Sequence, residues 1–312
     1  MSFASDVKNE LARTEPEKSC CQLAEISGFL RVAGTANFAG GGKFGVTAST
    51  GDPAIARHYK RLIKKYFEVD PDLKIEEIEL FGKERRYLLT VGHQDVGEEI
   101  LRETGLLLVR QGKNYFTDGI FDGLIKSKCC KKSYLRGMFL GAGTVTDPRK
   151  SYHLEIACGT ETLAKDLQKL INSFVDLSCK ISHRRGKYII YMKNSSYIRD
   201  TLAIMGAHSY VLDLDNTLIE KEMKEEAVRL TNCDNANMDR TLDAAQEQIE
   251  VINSLKKRGT YESLSPKLKE IAELRLANPE ASLTQLGEMA EPPIKKSGVN
   301  NRIKRIFELA RN

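Results

Sequence analysis

A frame of five positions occurs twice in this chain, 109 residues apart. Cys20-Cys21, Gly28, Gly34 and Thr35 in the first copy answer to Cys129-Cys130, Gly137, Gly143 and Thr144 in the second. Phe29-Leu30-Arg31-Val32-Ala33 and Met138-Phe139-Leu140-Gly141-Ala142 lie between the glycines. Each copy reads as an apolar helix that stops at a glycine and runs into a strand. Glycine inside a helix costs roughly 1 kcal/mol relative to alanine, so its recurrence implies close backbone approach. Two such helices in one chain are expected to pack glycine to glycine across a pseudo-twofold axis.

The segments that follow repeat too. In the first half come an apolar-polar stretch from Phe44 to Ala48, a helix carrying Ile55, Tyr59, Leu62, Ile63, Tyr66 and Phe67, strands around 74–80 and 87–91, and a helix ending at Gly105. In the second half come a strand at 152–157, a helix with Leu163, Leu167, Leu170, Ile171 and Phe174, a hairpin through 180–182 and 188–192, and a helix at 197–205 ending at Gly206. Each half reads helix-strand-helix-strand-strand-helix, an α+β unit with an antiparallel sheet. The expected organisation is a duplicated α+β pseudo-dimer over residues 1–210, with repeats at about 20–106 and 129–207. A linker at 211–233 and an all-α domain at 234–312 follow, with a helix-turn-helix at about 282–310.

Charge is placed unevenly. Residues 256–312 hold 12 Lys and Arg against 7 Asp and Glu, so the whole net charge of +5 sits there and the first 255 residues balance. A surplus confined to one small domain is the footprint of a polyanionic partner. No stretch approaches ~18 uninterrupted apolar residues and the start has no signal-peptide layout, so no membrane association is expected. Seven cysteines without a C-x-x-C pair read as reduced thiols of a cytoplasmic protein. Adjacent cysteines seldom chelate one ion well, so neither a metal site nor a cofactor is expected.

The basic tail divides into three helices. Ser265-Pro266 opens the first, with Leu268, Ile271, Ala272 and Leu276 on one face and Asn278-Pro279 at its close. Ser282 caps a short second helix, and Pro292-Pro293 forbids its continuation. Ser297 is expected to cap the third, whose Val299, Ile303, Ile306, Phe307 and Ala310 form one stripe at helical period. Its other face presents Asn300, Asn301, Lys304 and Arg305, with Arg302 at the edge. This is the layout of a helix-turn-helix, whose second helix enters the major groove of double-stranded DNA. Asn pairs with adenine and Arg or Lys with guanine. Lys295, Lys296, Lys304 and Arg305 would neutralise phosphates, and the amides of Ser297 to Val299 suit a phosphate at a helix start. A helical bundle with a solvated basic face is the alternative. Upstream, Met238, Leu242, Ala245, Ile249 and Ile252 step like a coiled-coil seam in a linking helix over 234–258.

The paired glycine helices resemble the LAGLIDADG motif of homing endonucleases, with Gly28–Gly34 and Gly137–Gly143 matching its glycine-to-glycine portion. That resemblance implies a central helix pair and a saddle of two sheets over DNA. It also implies a metal-binding acidic residue before each last glycine; here Ala33 and Ala142 stand instead, and a methyl group holds no Mg²⁺. Strand cleavage is therefore not expected, and the chain is read as no enzyme. Followed by the helix-turn-helix, the architecture is similar to the WhiA family of bacterial regulators, including Met1-Ser2-Phe3-Ala4-Ser5-Asp6-Val7-Lys8-Asn9-Glu10-Leu11, Asn232-Cys233-Asp234-Asn235-Ala236-Asn237 and Ser297-Gly298-Val299-Asn300. The resemblance implies a nucleoid-associated transcriptional regulator linked to sporulation, or to cell division and chromosome segregation. Basic residues at both hairpins (Lys83, Arg85 and Arg86; Lys180, Arg184, Arg185 and Lys187) suggest two symmetric contacts between the saddle and a duplex. Lysine-rich tips also protect sheet edges. A second reading has the saddle dock RNA polymerase or a sigma factor, with only weak DNA contact.

Two motifs look like distractions. Asp213, Asp215 and Thr217 match the D-x-D-x-T nucleophile loop of haloacid-dehalogenase-type phosphatases, but only 95 residues follow and they read as helices. The Asp residues are expected to cap a helix that includes 218–228. Gly40-Gly41-Gly42-Lys43 lacks Walker spacing and reads as a turn. The five histidines show no ligand spacing and read mostly as ordinary surface or interface residues.

Overall fold

The computed structural model describes residues 2–39, 43–79, 83–92 and 96–311. The expected glycine turn at 40–42, Leu80 at the end of a predicted strand, and His93 lie outside these. The chain divides into two compact units, Met1–Ile219 and Glu220–Asn312.

In the first unit α1 (Phe3–Leu11) buries Val7 and Leu11. It leads to α2 (Ser19–Ala33), which passes at Gly34 directly into β1 (Gly34–Ala39) and hairpin partner β2 (Lys43–Thr50). Asp52 caps α3 (Pro53–Phe67), with Pro at its first position. Strands β3 (Asp72–Glu79) and β4 (Lys83–Val91) precede α4 (Val96–Glu103). A small hairpin, β5 (Leu107–Arg110) with β6 (Lys113–Phe116), joins the halves. The second half then repeats the first: α5 (Lys128–Ala142), β7 (Gly143–Val145), β8 (Leu154–Cys158), α6 (Glu161–Asn172), β9 (Lys180–Arg184), β10 (Lys187–Met192) and α7 (Ser195–Met205), which ends on Gly206 at φ +104°.

The two sheets have the same antiparallel order, β1-β2-β4-β3 and β7-β8-β10-β9. Each has four strands where the sequence pattern suggests three, because the strand entered straight from the glycine pairs with the next as a hairpin. Register places Val46 opposite Val91 and Ala48 opposite Leu89, and Ile156 opposite Ile190 and Leu154 opposite Met192. These residues are buried and form the helix-facing side of each sheet.

The helices α2 and α5 interlock as the glycines require, with one difference. Neither glycine meets its counterpart. A Cβ on Gly28 would lie 2.3 Å from the Tyr134 carbonyl oxygen, and one on Gly137 would lie 2.2 Å from that of Glu25. Residues 25 and 134 are themselves equivalent under the 109-residue repeat, so each glycine admits the partner's backbone one turn away. The seam also carries charge. The buried Glu25 carboxylate accepts from Arg136 Nε at 2.9 Å and from its Nη2, and pairs with His58 Nε2 at 2.8 Å. Arg136 donates onward to the Met205 carbonyl at 3.1 Å.

Helix α8 runs from His208 to Arg258 as one element. Leu214 is buried in the first unit. Ala245, Gln248, Ile252 and Leu255 are buried in the second. The stretch expected as a linker at 211–233 is therefore helical and continuous with the helix expected over 234–258. Of the proposed seam, Met238 and Leu242 are exposed, whereas Ala245 and Ile252 dock on their own unit. The remaining helices are α9 (Pro266–Ala277), α10 (Leu283–Met289) and α11 (Lys296–Arg311).

Candidate nucleic-acid interface

Three local features fix α10, the turn after it and their packing on α9 and α11. Ser282 closes a reciprocal capping box on α10, accepting from the Gln285 amide at 3.3 Å while Gln285 Oε1 accepts from the Ser282 amide at 2.8 Å. At the turn, the Ile294 amide donates to the Gly287 carbonyl at 2.8 Å, and a Cβ on Gly287 would sit 2.2 Å from the Ile294 carbonyl oxygen. Only glycine allows that approach. Ile271, Leu286, Ala290, Val299 and Ile303 then form a buried cluster beneath the turn.

Two polar clasps were not legible in the sequence. The buried Arg275 donates to Gln248 Oε1 at 2.9 Å and to the carbonyls of Asn278, Pro279 and Ala281 at 3.3, 3.2 and 2.6 Å. It thereby satisfies the loose end of α9 and ties it to α8. Glu270 accepts from the Glu291 amide at 2.7 Å and from Arg302 Nη1 at 2.9 Å. It joins α9, the turn and α11 through one carboxylate.

The sequence places eight residues at the DNA face, and the structure separates them. Lys295, Lys296, Ser297, Asn301, Lys304 and Arg305 are exposed, and Asn300 is half-buried. Arg302 is the exception: its side chain is 19% exposed and spent on Glu270 and the Lys267 carbonyl, so it braces the fold. Arg305 pairs with Glu308 at 2.6 Å, but both side chains are largely solvated, which makes the pair weak. Ser297 is not the cap. The Lys295 carbonyl accepts from the amides of Gly298 and Val299 at 2.8 and 3.2 Å, so the helix starts two residues earlier, at Lys296. Two of the three amides expected to receive a phosphate are engaged in that first turn.

The saddle is less basic than its sequence suggests. Arg85 and Arg86 are exposed on β4, but strand register sets them opposite Glu77 and Glu76, and Arg85 Nε lies 3.5 Å from Glu77 Oε1. Lys83 begins β4 with its side chain outside the described set. At the other hairpin Arg184 faces Lys187 across the strands, Arg185 takes the left-handed turn position at φ +50°, and all three are exposed. Between the tips, the face turned away from the helices presents Asn37, Thr47 and Thr90, linked at 2.6 and 3.1 Å, in one half. In the other half, Glu155, Ile189 and Tyr191 alternate with the buried residues of their strands.

The remaining motifs resolve on geometry. Asp213 and Asp215 lie inside α8, where residues two apart point to nearly opposite sides, so their carboxylates do not converge as a nucleophile loop demands. They do not cap a helix either, since α8 begins at His208. His58 is a buried partner of Glu25, and His153 pairs with Glu155 at 3.0 Å. Ala33 and Ala142, where the resemblance leads one to expect an acidic residue, are half-buried and offer no carboxylate. Among the described residues, no helix is long and apolar enough to cross a membrane.

Comparison with known proteins agrees along the whole chain. Family models for the WhiA N-terminal LAGLIDADG-like domain, the WhiA LAGLIDADG-like domain and the WhiA C-terminal HTH domain match residues 19–107, 131–224 and 227–310. The probable cell division protein WhiA of Alkaliphilus metalliredigens is 40% identical over 310 residues, covering 99% of this chain and 98% of its own. That of Heliobacterium modesticaldum is 39% identical over 310 residues, covering 99% and 96%. The crystal structure of full-length WhiA from Thermotoga maritima shares the fold with a TM-score of 0.61 at 23% identity, covering 100% of this chain and 98% of that one. The glycine-locked helix pair, the two matching sheets and the helix-turn-helix therefore make this chain a member of the WhiA family.

Proposed function

We propose that the chain is a sequence-specific, DNA-binding transcriptional regulator that acts in the cytoplasm at the nucleoid. It serves cell division, the process named for its relatives, and through the family's wider role chromosome segregation or sporulation. Its LAGLIDADG-like unit is a scaffold without nuclease activity. One observation carries this reading. Helix α11 buries Val299, Ile303 and Ile306 against its own unit while Lys295, Lys296, Asn301, Lys304 and Arg305 stand exposed. That face has the donors for base edges and the charge for phosphates.

The test is a salt series of duplex binding by the intact chain, on sites recovered by genome-wide mapping. Replacing Lys304 and Arg305 with Ala should weaken binding to all sequences and lower the slope of log K against log salt by about 0.9 per lost phosphate contact. Asn301→Ala should relax preference at one base pair, at a cost of ~1–3 kcal/mol. Unchanged affinity and slope in the Lys304/Arg305 double variant would sink the reading.

A second reading rests on the saddle face, whose centre offers Thr, Asn, Ile, Tyr and a Glu, with Lys74 and Lys180 on the outer strands. Such a surface suits a protein, and RNA polymerase or a sigma factor is the partner this reading names. In that case substitutions at Ile189 and Tyr191 would abolish regulation with DNA affinity intact.

A further inference from the structure

The repeat that defines the scaffold also brings its cysteines together. Cys20-Cys21 lie in the first turn of α2 and Cys129-Cys130 in the first turn of α5. The Sγ atoms of Cys20, Cys21 and Cys130 all lie within 4.8 Å of one another. Cys129 stands against Cys21 and Cys130, and its Sγ is 3.1 Å from Ser127 Oγ, the cap that also receives the Cys130 amide at 3.2 Å. One adjacent pair on a helix is a poor chelator, because neighbouring side chains diverge by about 100°. Two pairs facing each other across the seam remove that objection. Three thiols then cluster across the seam, with Cys129 beside two of them.

From this arrangement we propose that Cys20, Cys21, Cys129 and Cys130 form a structural site for a thiophilic divalent cation, with zinc the fitting ion. A tetrahedral thiolate site with bonds of about 2.3 Å sets its sulfurs about 3.8 Å apart, so modest rotamer changes bring the cluster into range. Binding converts four thiols to thiolates, releases their protons to solvent and leaves a net charge of −2 on the site. The starts of two helices converge on that charge, and Lys18 acts on Cys129 from outside. Burial pushes the Cys21 thiol up to about 12 and raises that of Cys130, whereas the Ser127 hydroxyl leads the effects that bring Cys129 down to about 7. A bound cation's field would ionise the buried thiols as well. Cys20 is exposed and completes the outer side.

The experiment uses the full chain, purified without metal-affinity steps. Elemental analysis should give one zinc per chain, and a chromophoric chelator should take it up after the thiols are blocked with a mercurial. Cobalt substitution should add a thiolate-to-metal charge-transfer band. Cys20→Ser and Cys129→Ser, both at the accessible side, should each weaken zinc retention at least tenfold in competition with the chelator. Cys233→Ser, on the exposed part of α8, should leave it unchanged. Circular dichroism of each variant distinguishes lost metal from lost fold. Four thiols that react freely in protein equilibrated with zinc would overturn the proposal. So would a disulfide, seen as two thiols missing until a reductant restores them.

Discussion

At the scale of single residues, Gly28 and Gly137 carry the tightest constraint, because the atom each lacks would overlap a carbonyl oxygen of the facing helix. Gly28→Ala gains about 1 kcal/mol of helix propensity but forces the helices apart, an overpacking that typically costs 1–3 kcal/mol and here meets rigid backbone. Net destabilisation of about 2 kcal/mol is expected, read as a lower urea midpoint. Arg302 shows the opposite case, a residue whose type misleads. It sits among the basic residues of α11, yet its partner is Glu270. Arg302→Ala should lower the thermal midpoint of the second unit while changing the salt slope of DNA binding far less than Lys304→Ala does. Equal effects on the slope would return Arg302 to the DNA face.

At the scale of elements, the two glycine helices are joined by the buried contact of Glu25 with Arg136 and His58. Removing one member of a buried ion pair strands the other, so Arg136→Met should cost ~3–5 kcal/mol. The double variant Glu25→Leu, Arg136→Met should recover much of that loss in equilibrium denaturation. The elements themselves were largely legible in the sequence. Glycines and Pro-Pro mark ends, Ser282 and Ser265-Pro266 mark starts, and buried stripes repeat at helical period. The contacts between elements were less so. Nothing in local pattern says that Glu25 finds residue 136, 111 positions away, or that Arg275 closes three carbonyls beyond its own helix. Pairing at such separation depends on how the elements pack. The sequence pattern lets each glycine helix run into one strand, whereas the run after the glycine holds two, paired with each other. The start of α8 was missed for a related reason: Asp213 and Asp215 look like caps but sit in a helix already under way. For the cysteines, spacing along the chain does not show that the two pairs meet, since the relevant neighbour comes from the other repeat.

At the scale of the whole molecule, the two halves agree in topology and differ in charge. Arg85 and Arg86 are matched by Glu77 and Glu76 across the ladder, while Arg184, Arg185 and Lys187 form a tip with no acid opposite in the strand register. We expect any duplex contact by the saddle to be stronger at the second tip. Replacing Arg184, Arg185 and Lys187 with Ala should then reduce affinity and salt slope, and the Arg85/Arg86 double variant should do much less. Equal losses from both ends would favour the symmetric contact expected from sequence. No loss from either would leave DNA affinity to α11 and its neighbours alone.

The glycine seam has an evolutionary consequence. Each repeat keeps, in its own sequence, a notch cut to the outline of the other, so neither half is free to change there unanswered. A bulkier residue in one must be met by a retreat in its twin. What began as two copies of one segment now has to vary as a single inherited piece.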